Sequence, residues 1–122
     1  MTKQVLVIED EPNIAEAISF ILSRDGWNVS THASGTTAVQ AVRDVQPDVL
    51  ILDVMLPGKS GYDILQDLRS SDDTRALPVL MLTARGQKTD RELAERLGVS
   101  RFMTKPFSNT EMLSNLRELV GG

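Results

Sequence analysis

The chain contains no cysteine, which removes disulfides, thiolate metal sites and cysteine nucleophiles from consideration. It has a single histidine, His32, so a histidine triad, a multi-histidine zinc site and a histidine-pair relay are all excluded; His32 is expected at the surface, ending a strand. Aromatic residues are only 4% of the total, and Trp27 and Tyr62 stand too far apart to form a stacking platform for bases. No apolar run approaches the roughly 18 residues that crossing a bilayer requires. Met1-Thr2-Lys3-Gln4 leads directly into a strand pattern and does not read as a secretory leader. A cytoplasmic protein without a membrane partner is therefore expected. Excess positive charge is also missing: 13 Lys and Arg face 17 Asp and Glu, for a net charge of -4. That balance provides no footprint for direct nucleic-acid binding.

What is present suits one globular unit. At 122 residues, 41% hydrophobic and 25% charged, the chain is long enough for a real core and short for two, so residues 1–122 are expected to form one domain. Its periodicity alternates five times between short apolar runs and helical patterns. Val5–Ile8 is followed by Pro12, suited to a first helical turn, and by Ile14, Ala17, Ile18, Ile21 and Leu22 at the spacing of one buried helix face. Gly26 is placed to end that helix. Trp27–Thr31 reads as a strand. Ala38, Val39 and Val42 mark a helix that stops before Pro47. Val49–Leu52 is unbroken hydrophobe, the pattern of a central parallel strand covered on both faces. Ile64, Leu65 and Leu68 face inward on a third helix. Val79–Leu82 is a fourth strand, and a fourth helix around Thr89–Leu97 has only Leu93, Ala94 and Leu97 as a thin stripe. Arg101–Thr104 is the fifth strand. The last helix opens on the capping-box signature Ser108-Asn109-Thr110-Glu111 and is expected to bury Leu113, Leu116 and Val120. Five βα units in series predict a doubly wound parallel sheet with helices on both faces.

The chemistry falls where those strands end. Glu9-Asp10-Glu11 follows the first run, Asp53 closes the third, Thr83 closes the fourth, and Lys105-Pro106 follows the fifth. In an open parallel sheet all of these project from the carboxyl edge, where such folds bind ligands. Singly, each has an ordinary explanation: acids favoured near the positive end of a helix dipole, an aspartate capping a turn, a threonine capping a loop, a surface lysine. Together they do not. Carboxylates converging on one edge repel unless a cation sits among them, and oxygen donors without nitrogen or sulfur point to Mg²⁺ or Mn²⁺. A carboxylate is also a competent phosphoryl acceptor, and an ammonium with a hydroxyl supplies what a transferring phosphoryl group needs. A cis bond before Pro106 would turn Lys105 into the cleft.

Other readings fit less well. Gly58-Lys59-Ser60 resembles part of a nucleotide-binding loop, but that motif needs glycine where Asp53 stands. A phosphatase with an aspartyl intermediate would want a second acid at the position of Met55. A flavin carrier of the same fold would need a Ser/Thr/Gly-rich loop where Glu9-Asp10-Glu11 would repel the cofactor phosphate. A phosphorylation-independent interaction module remains the alternative.

The set Glu9, Asp10, Asp53, Thr83 and Lys105-Pro106-Phe107, in this order and over essentially the whole chain, resembles the receiver domain of two-component response regulators, of the chemotaxis-response-regulator kind. The resemblance implies a flavodoxin-like five-stranded sheet of order 2-1-3-4-5 and a phosphorelay signalling role, with Asp53 as phosphoacceptor. It implies Mg²⁺ (or Mn²⁺) held directly by Asp10, Asp53 and the backbone carbonyl of Met55, with Glu9 acting through water. Lys105 would pair with the phosphoryl group, Thr83 would hydrogen-bond it, and the small Ala84 would leave a backbone N–H accessible. Met55 and Arg85 would flank the path of the hydrolytic water and tune the lifetime. Thr83 would couple to Phe102, where many relatives carry tyrosine. The phosphodonor would be a sensor histidine kinase or a histidine phosphotransfer protein, and the output a partner protein or a C-terminal effector domain. Such a protein catalyses only its own phosphorylation and dephosphorylation. Ser100-Arg101 replaces the paired aspartates that receivers with winged-helix outputs use in a salt-bridged dimer face, so dimerisation through that face is not expected.

Overall fold

A computed structural model describes residues 2–84 and 88–121. Five strands alternate with five helices: β1 (Gln4–Ile8), α1 (Pro12–Arg24), β2 (Asn28–His32), α2 (Ala38–Val45), β3 (Val49–Asp53), α3 (Gly61–Ser70), β4 (Val79–Thr83), α4 (Lys88–Arg96), β5 (Arg101–Thr104) and α5 (Asn109–Leu119). The strands form one sheet in the order β2-β1-β3-β4-β5, and every neighbouring pair is parallel. The expected architecture is the one found.

Alternation along the strands divides the core. Leu6, Ile8, Leu50, Leu52, Val79, Met81 and Phe102 pack with residues of α2, α3 and α4 on one face. Val5, Val7, Val49, Ile51, Leu80, Leu82 and Met103 pack with α1 and α5 on the other. All five residues of β3 and of β4 are buried, as two covered faces require.

Local signals explain most of the boundaries. Pro12 occupies the first turn of α1. At the other end of that helix Gly26 adopts φ +90°; its N–H reaches the carbonyl of Ser23 at 3.1 Å and that of Trp27 reaches Leu22 at 3.1 Å, the paired bonds of a glycine-terminated helix. Ser60 and Ser108 cap α3 and α5 by accepting from the backbone N–H groups of Asp63 and Glu111 at 3.2 and 3.0 Å.

The differences from expectation lie in helix phase and strand ends. Trp27 is buried but precedes β2, its N–H being committed to the end of α1. Ala17 is exposed. In α5, Met112 and Leu116 are the buried residues, whereas Leu113 and Val120 lie at the margin of the core, because α5 rests on the sheet a fraction of a turn from where its leucines alone would put it. Ala94 is the one fully buried residue of α4, so this helix has the slight anchorage its sequence suggested.

Candidate functional site

Register sets the site. Ile8 pairs with Leu52, which brings Glu9 level with Asp53 just beyond the strand. Asp53 is paired with Leu82 and Thr83 with Thr104, so Thr83 stands one residue further along the adjacent strand and Lys105 leaves the sheet beside it. The Lys105 N–H donates to the carbonyl of Thr83 at 2.8 Å, and the Lys105-Pro106 bond is cis.

Three acids meet there. Glu9 and Asp53 are buried, at 3% and 4% exposure, and Asp10 is exposed. One carboxylate oxygen from each lies within 4.8 Å of those of the other two. The Lys105 ammonium enters between them, donating to Glu9 Oε1 at 2.8 Å and lying 3.5 Å from Asp53 Oδ1. Its first partner is thus Glu9, a contact that was not anticipated from the sequence. Glu9 Oε2 also accepts from the N–H of Glu11 at 3.2 Å.

Charge and burial act on this cluster in opposing directions. Burial, reinforced by the negative charge of Glu9, pushes the Asp53 carboxyl from 3.8 up to about 6, against the pull of Lys105 and of a hydrogen bond from the Met55 backbone. For Lys105, burial works against the charged form, but the bond to Glu9 and the charge of Asp53 outweigh it and the net shift is upward. The ammonium is firmly protonated. Three carboxylates against one ammonium leave a net negative site, and an all-oxygen donor set at this spacing suits a hard divalent cation.

The remaining residues surround the cluster. Thr83 is buried. Ala84 is exposed directly after β4. Met55 is 65% exposed at the rim. Phe102 is buried on the α4 side of the sheet, opposite Met81 in register and on the same strand parity as Thr83, and the Arg91 guanidinium of α4 lies 4.9 Å from its ring centre. Arg85 lies outside the described residues. His32 ends β2 as expected, half-buried, with Nε2 at 2.7 Å from Thr37 Oγ1. Lys59 forms an ion pair with Asp67 of α3.

Sequence reasoning missed Gly61. This residue opens α3 directly behind Asp53: a Cβ there would overlap the Asp53 carbonyl oxygen and approach Val54 Cα at 2.9 Å. The Gly61 N–H donates to the Val54 carbonyl at 2.9 Å. The missing side chain therefore lets the start of α3 press against the backbone that carries Asp53. A glycine beside a serine cap gave no local indication of that approach.

The chain matches the model of the response regulator receiver domain over residues 5–117. It is 46% identical over 116 residues to the probable transcriptional regulatory protein TcrX of Mycobacterium tuberculosis, an alignment covering 95% of this chain and 49% of that protein. The chain thus spans about half the length of this curated relative. Among solved structures, the signal receiver domain of a signal transduction histidine kinase from Syntrophus aciditrophicus has a TM-score of 0.91 at 30% identity, covering 99% of this chain and 92% of that one. The receiver domain of a sensor histidine kinase from Pseudomonas aeruginosa, with a magnesium ion coordinated in its active site cleft, has a TM-score of 0.91 at 28% identity and covers 100% of both chains.

Proposed function

The chain belongs to the response regulator receiver family, and we propose that residues 1–122 act as one receiver domain in which Asp53 accepts a phosphoryl group from a phosphohistidine. The donor is a sensor histidine kinase or a histidine phosphotransfer protein. The observation that carries this reading is the buried Asp53 carboxylate at the open carboxyl edge, beside the ion pair of Glu9 with the Lys105 ammonium. Nothing in the packing of a structural aspartate calls for two further acids and a lysine at the same point.

In the transfer step an Asp53 oxygen forms a bond to phosphorus as the P–N bond to the donor imidazole breaks, and the bonding pair leaves with the nitrogen. Lys105 compensates the charge on the phosphoryl oxygens. The Thr83 hydroxyl and the Ala84 backbone N–H donate to those oxygens. Asp10, Asp53, the Met55 carbonyl and, through water, Glu9 would hold Mg²⁺ or Mn²⁺, which supplies positive charge facing the phosphoryl group. The chemistry returns to its starting point when water cleaves the acyl phosphate, at a rate that Met55 and Arg85 tune. The protein acts on no substrate other than its own aspartate.

Output follows from Thr83. Drawing its hydroxyl towards a phosphoryl group opens space on the face it shares with Phe102, and Phe102 moves together with α4, in which Ala94 alone is fully buried. The altered face is read by an output protein or an attached effector domain. An NMR comparison with and without beryllofluoride that showed no change at Phe102 and α4 would rule this step out.

The test is intact mass after incubation with Mg²⁺ and acetyl phosphate, beside an Asp53→Ala variant. A labile increment of one phosphoryl group in the wild type alone is expected. An increment retained by the variant would exclude Asp53 as acceptor. No increment in either protein, even with a cognate kinase, would favour the phosphorylation-independent module.

A further inference from the structure

We infer that the Met55 thioether is an oxidation site through which peroxide shortens the lifetime of the phosphorylated state. Three of the chain's five methionines, Met81, Met103 and Met112, are sealed in the core at 0%, 3% and 0% exposure, whereas Met55 is 65% exposed. A dissolved oxidant therefore reaches Met55 without opening the fold, and among the described residues no other methionine offers that. Position gives the reaction a consequence. Met55 stands two residues after Asp53, in the segment that leaves the carboxyl end of β3, with its side chain open to solvent.

The step balances with hydrogen peroxide as the co-reactant. A sulfur lone pair attacks one peroxide oxygen, the S–O bond forms as the O–O bond breaks, and after proton transfer the second oxygen leaves as water. Sulfur is oxidised by two electrons to the sulfoxide and the peroxide is reduced. A thioether is apolar and a weak acceptor. The sulfoxide is a polar acceptor able to hold a water molecule by its proton at the edge of the site, where the receiver reading places the approach of the water that hydrolyses an Asp53 acyl phosphate. One added hydrogen bond to the attacking water corresponds to roughly a two- to tenfold faster hydrolysis.

This inference rests on the receiver reading, and the experiment separates the two. Wild type and Met55→Leu are treated with dilute hydrogen peroxide, the excess is removed with catalase, and both are loaded with acetyl phosphate and Mg²⁺ beside untreated samples. Peptide mass mapping locates the added oxygen, and the decay of the phosphoryl increment gives the lifetime. Met55 is expected to gain oxygen before Met81, Met103 or Met112, and the treated wild type to decay roughly two- to tenfold faster than the untreated. The Met55→Leu decay rate, whatever its starting value, should not respond to peroxide, and methionine sulfoxide reductase should restore the wild-type rate. Oxidation of the core methionines first, or an unchanged lifetime with Met55 fully oxidised, would overturn the proposal. A failure of the untreated wild type to take up any phosphoryl group would instead count against the receiver reading, visible in the arm that never met peroxide.

Discussion

Asp53→Asn should make the metal-free protein more stable, although it removes the group on which the proposed chemistry depends. The Asp53 carboxyl is raised from 3.8 to about 6, first by burial and then by the charge of Glu9. At about 1.4 kcal/mol per pH unit, ionising it in the folded state costs up to about 3 kcal/mol at neutral pH. Solvent access from the side of exposed Asp10 lowers that ceiling, so a gain of about 1–3 kcal/mol is expected from an uncharged amide of the same shape. For a chain of this size the corresponding rise in Tm is about 5–15 °C. The pH dependence carries a definite sign. Because the folded-state value lies above the unfolded one, the native wild type holds its proton more tightly between 3.8 and about 6. The cost is absent below that window and fully developed above it, and the advantage of the variant grows as pH rises through it. The assay is urea unfolding of both proteins in chelator-treated buffer across this range, taking the difference so that other titrating groups cancel. A variant that is less stable than wild type at neutral pH, or an advantage that does not change with pH, would refute the argument that burial and Glu9 govern this carboxylate.

Other perturbations follow from the same geometry. Lys105→Met keeps the apolar stem but leaves the buried Glu9 without its 2.8 Å partner; it should lose about 2–4 kcal/mol at neutral pH, with millimolar Mg²⁺ restoring part of the loss in thermal melts. Gly61→Ala should destabilise by about 2 kcal/mol or more, because its Cβ meets backbone that cannot move aside, and NMR should place the disturbance at Val54 and Asp53; a neutral substitution would show that the approach is relaxed at no cost. Ser108→Ala removes the cap on the Glu111 N–H and should cost about 1 kcal/mol in urea unfolding. Arg101, which is paired with Glu118 at 3.1 Å across β5 and α5, carries the wrong charge for the aspartate-based dimer face. Sedimentation should show no phosphorylation-dependent dimer that Arg101→Asp disrupts.

The sequence by itself determined the succession of elements, since β1, β3 and β4 are short apolar runs and the helices follow a 3.6-residue pattern, with local terminators at Pro12, Gly26, Ser60 and Ser108. It placed the acidic site as well, because in a parallel sheet whatever ends or follows the strands shares one edge; Asp53 and Thr83 end β3 and β4, and Glu9 and Lys105 directly follow β1 and β5. Tertiary structure decided what depends on distance across the chain. That Lys105 bonds Glu9 before Asp53 is settled at the carboxyl edge, where the segment after β5 reaches across the end of β4 to the ends of β3 and β1, the bonded pair being 96 residues apart in sequence. The seating of α5, which buries Met112 rather than Leu113, comes from how a whole helix rests on the sheet. The need for glycine at position 61 arises because the start of α3 lies against the Asp53 backbone. Periodicity and capping are local properties and can be read residue by residue; close approach and the pairing of charges exist only once strands distant in the chain lie side by side.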